Sequence, residues 1–198
     1  MATNAISDRM HSRYRFSVEQ YYRMAEVGLL APDARTELIE GAIYRMPPIG
    51  CPHAATVAWL HRQLANVVGD RALVVGQYPI RLSRHSVPQP DLMVLRSRPG
   101  HYSDTHPAAR DALLVIEVSD STWLYDREIK MPLYAAYGVQ AAWLVDLCVS
   151  ELNCYGAPHG GAFVEQISTR NPGVLAVPSL DICVDMTQLF HLGDQSVS

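Results

Sequence analysis

Two short apolar runs, each carrying one carboxylate near an end, constrain this chain more than any other feature in it. The first reads Pro88-Gln89-Pro90-Asp91-Leu92-Met93-Val94-Leu95 and the second Leu113-Leu114-Val115-Ile116-Glu117-Val118-Ser119. Both are Leu-rich or β-branched and bounded by turn formers, which predicts buried strands. If the strands pair antiparallel, the start of the first lies opposite the end of the second. Setting Asp91 against Glu117 then sets Met93 against Val115 and Leu95 against Leu113, all on one face, because side chains alternate. Like charges on adjacent strands destabilise a sheet unless something offsets them. A divalent cation does so, and Lys130, in the helical segment that follows, supplies a further positive charge. A carboxylate pair and a lysine beside a hard cation make a hydrolytic phosphodiester site.

Lys130 is the only lysine in the chain; of 16 Lys+Arg residues, the other 15 (16 − 1) are arginine. A composition that otherwise uses only arginine points to a need for an amine at this place, since lysine presents a compact point charge and arginine a planar fork. The plain alternative is a chance residue on a solvated helix face.

At 198 residues, with 48% hydrophobic and 18% charged side chains, the chain suits one domain with a sizeable core. We place it at residues 16–192, between an N-terminal arm at 1–15 and a tail at 193–198. No apolar run reaches the length of a membrane span, and the first 15 residues lack the apolar region of a signal peptide. Cys51, Cys148, Cys154 and Cys183 show no CxxC spacing and read as reduced structural thiols of a cytoplasmic protein. The histidines form no zinc motif, and His101 and His106 fall in a loop where solvated roles are expected. The net charge of −4 argues against strong non-specific binding to nucleic acid, which rests on Lys/Arg contacts to phosphate. A metal-binding site is itself acidic until loaded, however, and the arginines can cluster on one face.

Along the chain, Ser17 and Gln20 form a capping box with Phe16 and Tyr21 at staple positions, predicting a helix over 18–27 that stops at Gly28. A turn at Ala31-Pro32-Asp33 follows. Two short strands, Glu37–Glu40 and Ala42–Met46, make a hairpin about Gly41, and a helix is expected over His53–Val68. The run Ala72–Leu82 reads as a strand, at an edge or bulged because Pro79 lies within it. After the two acid-bearing strands, Thr122–Tyr137 reads as a helix. Pro132 must sit in the first turn of any regular helix there, which puts Lys130 at or just before its start. Strands are expected at Ala141–Val149, Leu152–Tyr155, Phe163–Ile167 and Val174–Val177, with a closing helix at Asp185–Phe190. The fold class is α/β, a mixed sheet flanked by helices. No GxSxG, GxxxxGK[ST] or GxGxxG motif is present.

Several further residues carry open readings. Glu37 and Glu40 flank the hairpin turn and can be solvated charges. His53, after Pro52, either orients a phosphate or water or packs at a helix N-terminus. Gln89 can hydrogen-bond a carboxylate or water. Asp120 and Asp126 suit helix N-cap duty, and Asp146 suits a turn. Tyr134 and Tyr137, at helical spacing, read as core.

The order of these pieces resembles the PD-(D/E)XK nuclease superfamily and, within it, the Uma-two branch. The resembling segments are Glu37–Met46, Pro52-His53, Gln89-Pro90-Asp91, Ile116–Thr122, Asp126 with Lys130, Tyr134–Val139 and Trp143–Asp146, together spanning about residues 16–190. The resemblance implies a restriction-endonuclease-like core with an N-terminal helix-hairpin addition and extra C-terminal strands. The superfamily's usual lysine stands two residues after the second acid, where this chain has Ser119. In the resembled branch the lysine moves to the following helix, the place Lys130 occupies, and a glutamate of the Glu37–Gly41 segment, Glu40 being the closer match, joins the site. The implied site is Asp91, Glu117, Lys130 and Glu40, with His53 and Gln89 in support and Mg²⁺ or Mn²⁺ on Asp91 and Glu117. The implied activity is endonucleolytic hydrolysis of DNA. Cutting both strands of a duplex needs two sites, which a homodimer supplies most simply, with the C-terminal strands as candidates for its interface. The alternatives are a nuclease-fold module that binds nucleic acid or protein with little or no chemistry, and a structural or assembly protein.

Overall fold

The helix-start signal at Ser17 is realised. Its hydroxyl accepts the Gln20 N–H at 3.2 Å, and the Gln20 side-chain oxygen accepts the Ser17 N–H at 2.8 Å. This box opens helix α1 (Val18–Glu26), which ends ahead of Gly28 as expected. Strands β1 (Thr36–Ile39) and β2 (Ala42–Arg45) then pair as an antiparallel hairpin. Its turn residues Glu40 and Gly41 have φ of 50° and 81°, the pair of positive values that suits the twist of a hairpin. A Cβ on Gly41 would lie 2.5 Å from the Arg15 Cβ, so space as well as φ demands glycine.

These elements and Ser83–Val87 form one compact unit, and the remaining chain forms a second. The computed structural model describes residues 13–31 and 33–192. Most of the expected arm, Pro32 of the expected turn and the tail at 193–198 lie outside the described residues. The smaller unit buries Val18, Leu38 and Val87, with Phe16 and Tyr21 from the staple positions packed against them.

The larger unit opens with helix α2 (Cys51–Val68), which carries Pro52 in its first turn, where no N–H partner is lost. Strands β3 (Ala72–Gly76), β4 (Leu92–Arg96) and β5 (Ala112–Ser119) follow, then helix α3 (residues 123–136), then β6 (Ala141–Asp146), β7 (Glu151–His159) and β8 (Ala162–Thr169). The six strands lie in chain order in one sheet. Neighbours run antiparallel except β5 and β6, which are parallel and are joined through α3, as a parallel pair needs a crossover. A separate antiparallel pair, β9 (Val174–Ala176) and β10 (Cys183–Asp185), completes the unit. Among the described residues no helix is long and apolar enough to cross a membrane.

Alternation sorts the two central strands between the faces of the sheet. Leu92 and Val94 of β4 and Leu114, Ile116 and Val118 of β5 join Leu60, Leu64 and Val68 of α2 in one core. Met93, Leu95 and Val115 join Met131 and Tyr134 of α3 in the other. Glu117 shares the parity of Val115 and so falls toward α3, whereas Asp91 precedes β4 and is outside the alternation.

Four details differ from the expectations. Met93 faces Val115 as expected, but a bulge between Val94 and Leu95 sets Leu95 opposite Ala112 rather than Leu113, one residue being left over on β5. Strand β3 stops at Gly76, because Gln77 turns into the left-handed region at φ 49°; beyond it only an isolated bridge joins Arg81 to Ala108. Helix α3 comprises Trp123–Tyr125, a π turn at Asp126–Lys130, and Met131–Ala136. Pro132 can donate no hydrogen bond, and the Met131 N–H reaches back five residues to the Asp126 carbonyl, so the helix passes Pro132 by widening rather than breaking. Lys130 therefore sits inside a continuous helix and not at its start. Lastly, no helix forms over Asp185–Phe190. Asp185 ends β10 and its side chain accepts the Thr187 N–H at 2.9 Å, a local bond that competes with helix formation, although Met186 and Leu189 are still buried.

All four cysteines are free, with Cys51, Cys148 and Cys183 exposed. Burial pushes the Cys154 thiol up to about 12, and only thiolate attacks a disulfide or alkylating reagent. Titration of the native chain with an aromatic disulfide reagent at pH 8 should therefore show three fast thiols, with the fourth reacting only on addition of denaturant. Four equal rates would contradict this packing of β7.

Candidate active site

Asp91 closes the loop into β4, and its carboxylate is fixed from two sides. Oδ2 accepts the Val118 N–H of β5 at 2.9 Å and a hydrogen bond from His53 Nε2 of α2 at 3.1 Å. With Nε2 carrying that proton, Nδ1 of His53 faces inward, buried and without a partner among the described residues. Gly50 and Pro52 matter here, because a helix that begins at Cys51 brings His53 in its first turn to the sheet end where β4 begins.

Glu117, near the end of β5, is 2% exposed. Its Oε1 accepts from Lys130 Nζ at 2.7 Å and from the Tyr134 hydroxyl at 2.5 Å. Lys130 is itself 1% exposed, and its ammonium lies 4.0 Å from Asp126 Oδ1. Both Lys130 and Tyr134 project from α3 four residues apart, the spacing that places side chains on one helix face. The Asp126 carboxylate is held from the far side by Ser119 and Thr122, whose hydroxyls each donate to Oδ2 at 2.6 Å.

Three carboxylates, Asp91, Glu117 and Asp126, are thus buried with a single ammonium. Burial raises the Asp126 pKa above its ordinary 3.8, while Lys130 and the two hydroxyls pull it down and Asp91 pushes it up again. A carboxyl with a raised folded-state pKa favours the fold fully below its unfolded value, and that contribution is lost as pH rises through the raised value. The excess of negative charge in a dry site is what a hard cation would offset. The donor set suits such an ion: carboxylate oxygens from the loop into β4 and from β5, no thiolate, and one imidazole already committed to Asp91. Among the described residues no group of three His, Cys, Asp or Glu side chains is arranged to hold a metal, so the Asp91–Glu117 pair would need water or substrate oxygens to complete the shell.

The other expected residues are placed as follows. Gln89 is exposed and donates from Nε2 to the Gln77 carbonyl at 2.6 Å. Glu40 belongs to the smaller unit, where it is exposed, pairs with Arg15 and accepts from the Ser86 hydroxyl at 3.1 Å. Its neighbour Glu37 is 1% exposed on β1. Asp146 takes the turn role expected, accepting the Cys148 N–H at 2.9 Å. Two residues were read differently from the sequence. Asp126 is no N-cap but a buried partner of Lys130, and its position four residues before the only lysine was the available signal. Tyr134 is core, as expected, yet its hydroxyl is committed to Glu117, and four residues after Lys130 was again the clue.

Removing one member of a buried ion pair leaves the other uncompensated, a loss of about 3–5 kcal/mol. Lys130→Met should show a loss of this size in urea denaturation. The double variant Lys130→Met/Glu117→Gln should recover part of it, because a neutral amide needs no counter-charge. Tyr134→Phe should cost about 1.5–3 kcal/mol, the range for a hydrogen bond to a charged group. An unchanged unfolding midpoint in Lys130→Met would show that the ammonium is not held as described.

No curated protein matches the chain. A crystal structure of a "putative nuclease belonging to DUF820" from Anabaena variabilis superposes with a TM-score of 0.69 at 18% identity, covering 89% of this chain and 98% of that one. The two share a fold, and at that identity the likeness goes no further. Residues 18–186 match the family model of Uma2, described as "Putative restriction endonuclease", and the chain belongs to the Uma2 family.

Proposed function

We propose that this chain is a cytoplasmic, metal-dependent endonuclease that hydrolyses phosphodiester bonds in DNA, with Mg²⁺ or Mn²⁺ held by Asp91 and Glu117. The observation that carries this reading is the burial of the only lysine against Glu117, at the sheet end that also bears Asp91. An ammonium is expensive to bury, and a solvated helix face would serve a merely structural lysine better. When bound, the cation would supply Lewis-acid polarisation of a phosphoryl oxygen and lower the pKa of water.

The chain's own residues supply the remainder. Lys130 presents a fixed positive charge where negative charge grows on the attacking oxygen or the phosphate, and its setting is made before the substrate arrives. Tyr134 and Lys130 together orient Glu117, and His53 with the Val118 N–H orients Asp91. Asp126 adds a second negative charge beside the ammonium, and Ser119 and Thr122 hold Asp126 in turn. Glu40 stays a proposed supplement to the metal shell, and Gln89 a proposed hydrogen-bond partner of a carboxylate or water. A homodimer belongs to the same proposal, since cutting both strands of a duplex needs two sites and two-fold symmetry supplies them. A monomer in sedimentation at micromolar concentration would turn the proposal toward nicking or single-strand cleavage.

Two measurements test the reading. Calorimetry with Mn²⁺ should detect binding by the wild type and its loss in Asp91→Asn; equal binding would refute the metal assignment. Supercoiled plasmid and single-stranded DNA, incubated with Mg²⁺ or Mn²⁺ below the variants' unfolding temperatures, should be cut by the wild type. Lys130→Ala should be slower by about 10²–10³, the scale for one lost charge-stabilising donor, and Lys130→Arg should rescue poorly. Cleavage unchanged in Lys130→Ala would sink the assigned lysine, and no cleavage with any metal would favour the binding-module reading.

A further inference from the structure

The smaller unit contains a cavity of about 550 Å³ whose lining includes Arg13, Tyr14, Arg15, Gln20, Arg84 and His85. Two segments far apart in sequence build it, and main-chain acceptors lock them together. The Val18 N–H donates to the Arg84 carbonyl at 2.8 Å, and His85 Nδ1 donates to the Phe16 carbonyl at 2.9 Å. Three guanidiniums thus line one concavity in a chain of net charge −4. One of them, Arg15, is answered by the Glu40 carboxylate. Among the described residues no carboxylate pairs with Arg13 or Arg84. Like charges gathered on a rigid frame repel, and a polyanion in the concavity would relieve that repulsion.

Tyr14 adds a second kind of surface. It is 67% exposed, yet its ring is held edge-on against Phe16 at 5.0 Å and its hydroxyl accepts from Gln20 Nε2 at 2.6 Å. An exposed ring held still is a stacking platform, and fixed aromatics between basic side chains match the alternation of base and phosphate along a single strand.

We propose that this cavity binds a single-stranded segment of nucleic acid, with phosphates on Arg13, Arg15 and Arg84 and a base stacked on Tyr14. Guanidinium forks suit phosphate oxygens, which they take two at a time. A duplex keeps its bases stacked on one another, so a single strand is the better ligand. The inference rests on the endonuclease reading only in the choice of nucleic acid as the polyanion.

Fluorescence anisotropy with a short labelled oligothymidylate, in EDTA so that no strand is cut, tests it on the full chain. Each lost phosphate contact on a single strand lowers the slope of log K against log salt by about 0.7. Arg13→Ala/Arg84→Ala should therefore lower the slope by about 1.4 and, at low salt, weaken binding roughly ten-fold or more. Arg13→Lys/Arg84→Lys should keep the slope, which separates lost charge from a damaged fold. Tyr14→Leu should weaken binding about five-fold or more with the slope unchanged. The proposal is overturned if the alanine pair binds with wild-type affinity and slope. It is equally overturned if the wild type ignores the oligonucleotide, whether or not it binds phosphatidylserine vesicles. Arginine-dependent binding without any cleavage in metal would leave the cavity standing and sink the endonuclease reading alone. Cleavage and binding that are both indifferent to the arginines would sink the cavity alone.

Discussion

The ion pair between Lys130 and Glu117 is the interaction on which the larger unit turns. It is buried at both ends, and it ties the helix that crosses from β5 to β6 to the strand it has just left. Charges in such a setting survive only where hydrogen bonds replace lost water. Here Glu117 has the ammonium and a phenol, Asp126 has two hydroxyls, and Asp91 has a backbone amide and an imidazole. The polar network therefore reaches from α2 through the sheet to α3. The two apolar cores on either side of the sheet provide the stability that lets this network be arranged for something other than stability.

The division between the faces follows from parity alone. Leu92 and Val94 look toward α2, Met93 and Leu95 toward α3, and Glu117 inherits the second direction. Asp91 draws support from α2 instead, because it stands in the loop just before β4, where a His from the first turn of that helix can reach it. The chain belongs to the Uma2 family and shares its fold with the Anabaena variabilis protein. The chemistry proposed for it rests on the network itself.

Much of this was legible in the sequence. The capping box at Ser17, the hairpin about Gly41, the strand that follows Asp91 and the one bearing Glu117, and the Met93–Val115 register could all be read from local chemistry. The bulge beside Leu95 could not, because Leu113 and Ala112 are both apolar and either can face Leu95. The helix expected at Asp185–Phe190 does not form, because the Asp185 side chain commits the backbone to a turn. Asp126 and Tyr134 were placed on the correct helix but given ordinary duties. Nothing local distinguishes a capping Asp or a core Tyr from one whose partner lies elsewhere in the fold; only the unique lysine midway between them hinted at it.

The wide turn at Asp126–Lys130 also bears on how this helix can vary. Five residues there occupy a rise that an ordinary turn fills with about four, so the helix behaves as though one amino acid had been inserted into it. Deleting a single residue from the turn would return it to regular pitch with the helix on either side still in phase. Tyr134 would keep its place against Glu117, but the ring of Pro132 would press on the carbonyl of the preceding turn. The extra residue is therefore what lets a proline lie within this helix without a break, and its loss would be felt as strain at Pro132 rather than as a change of register.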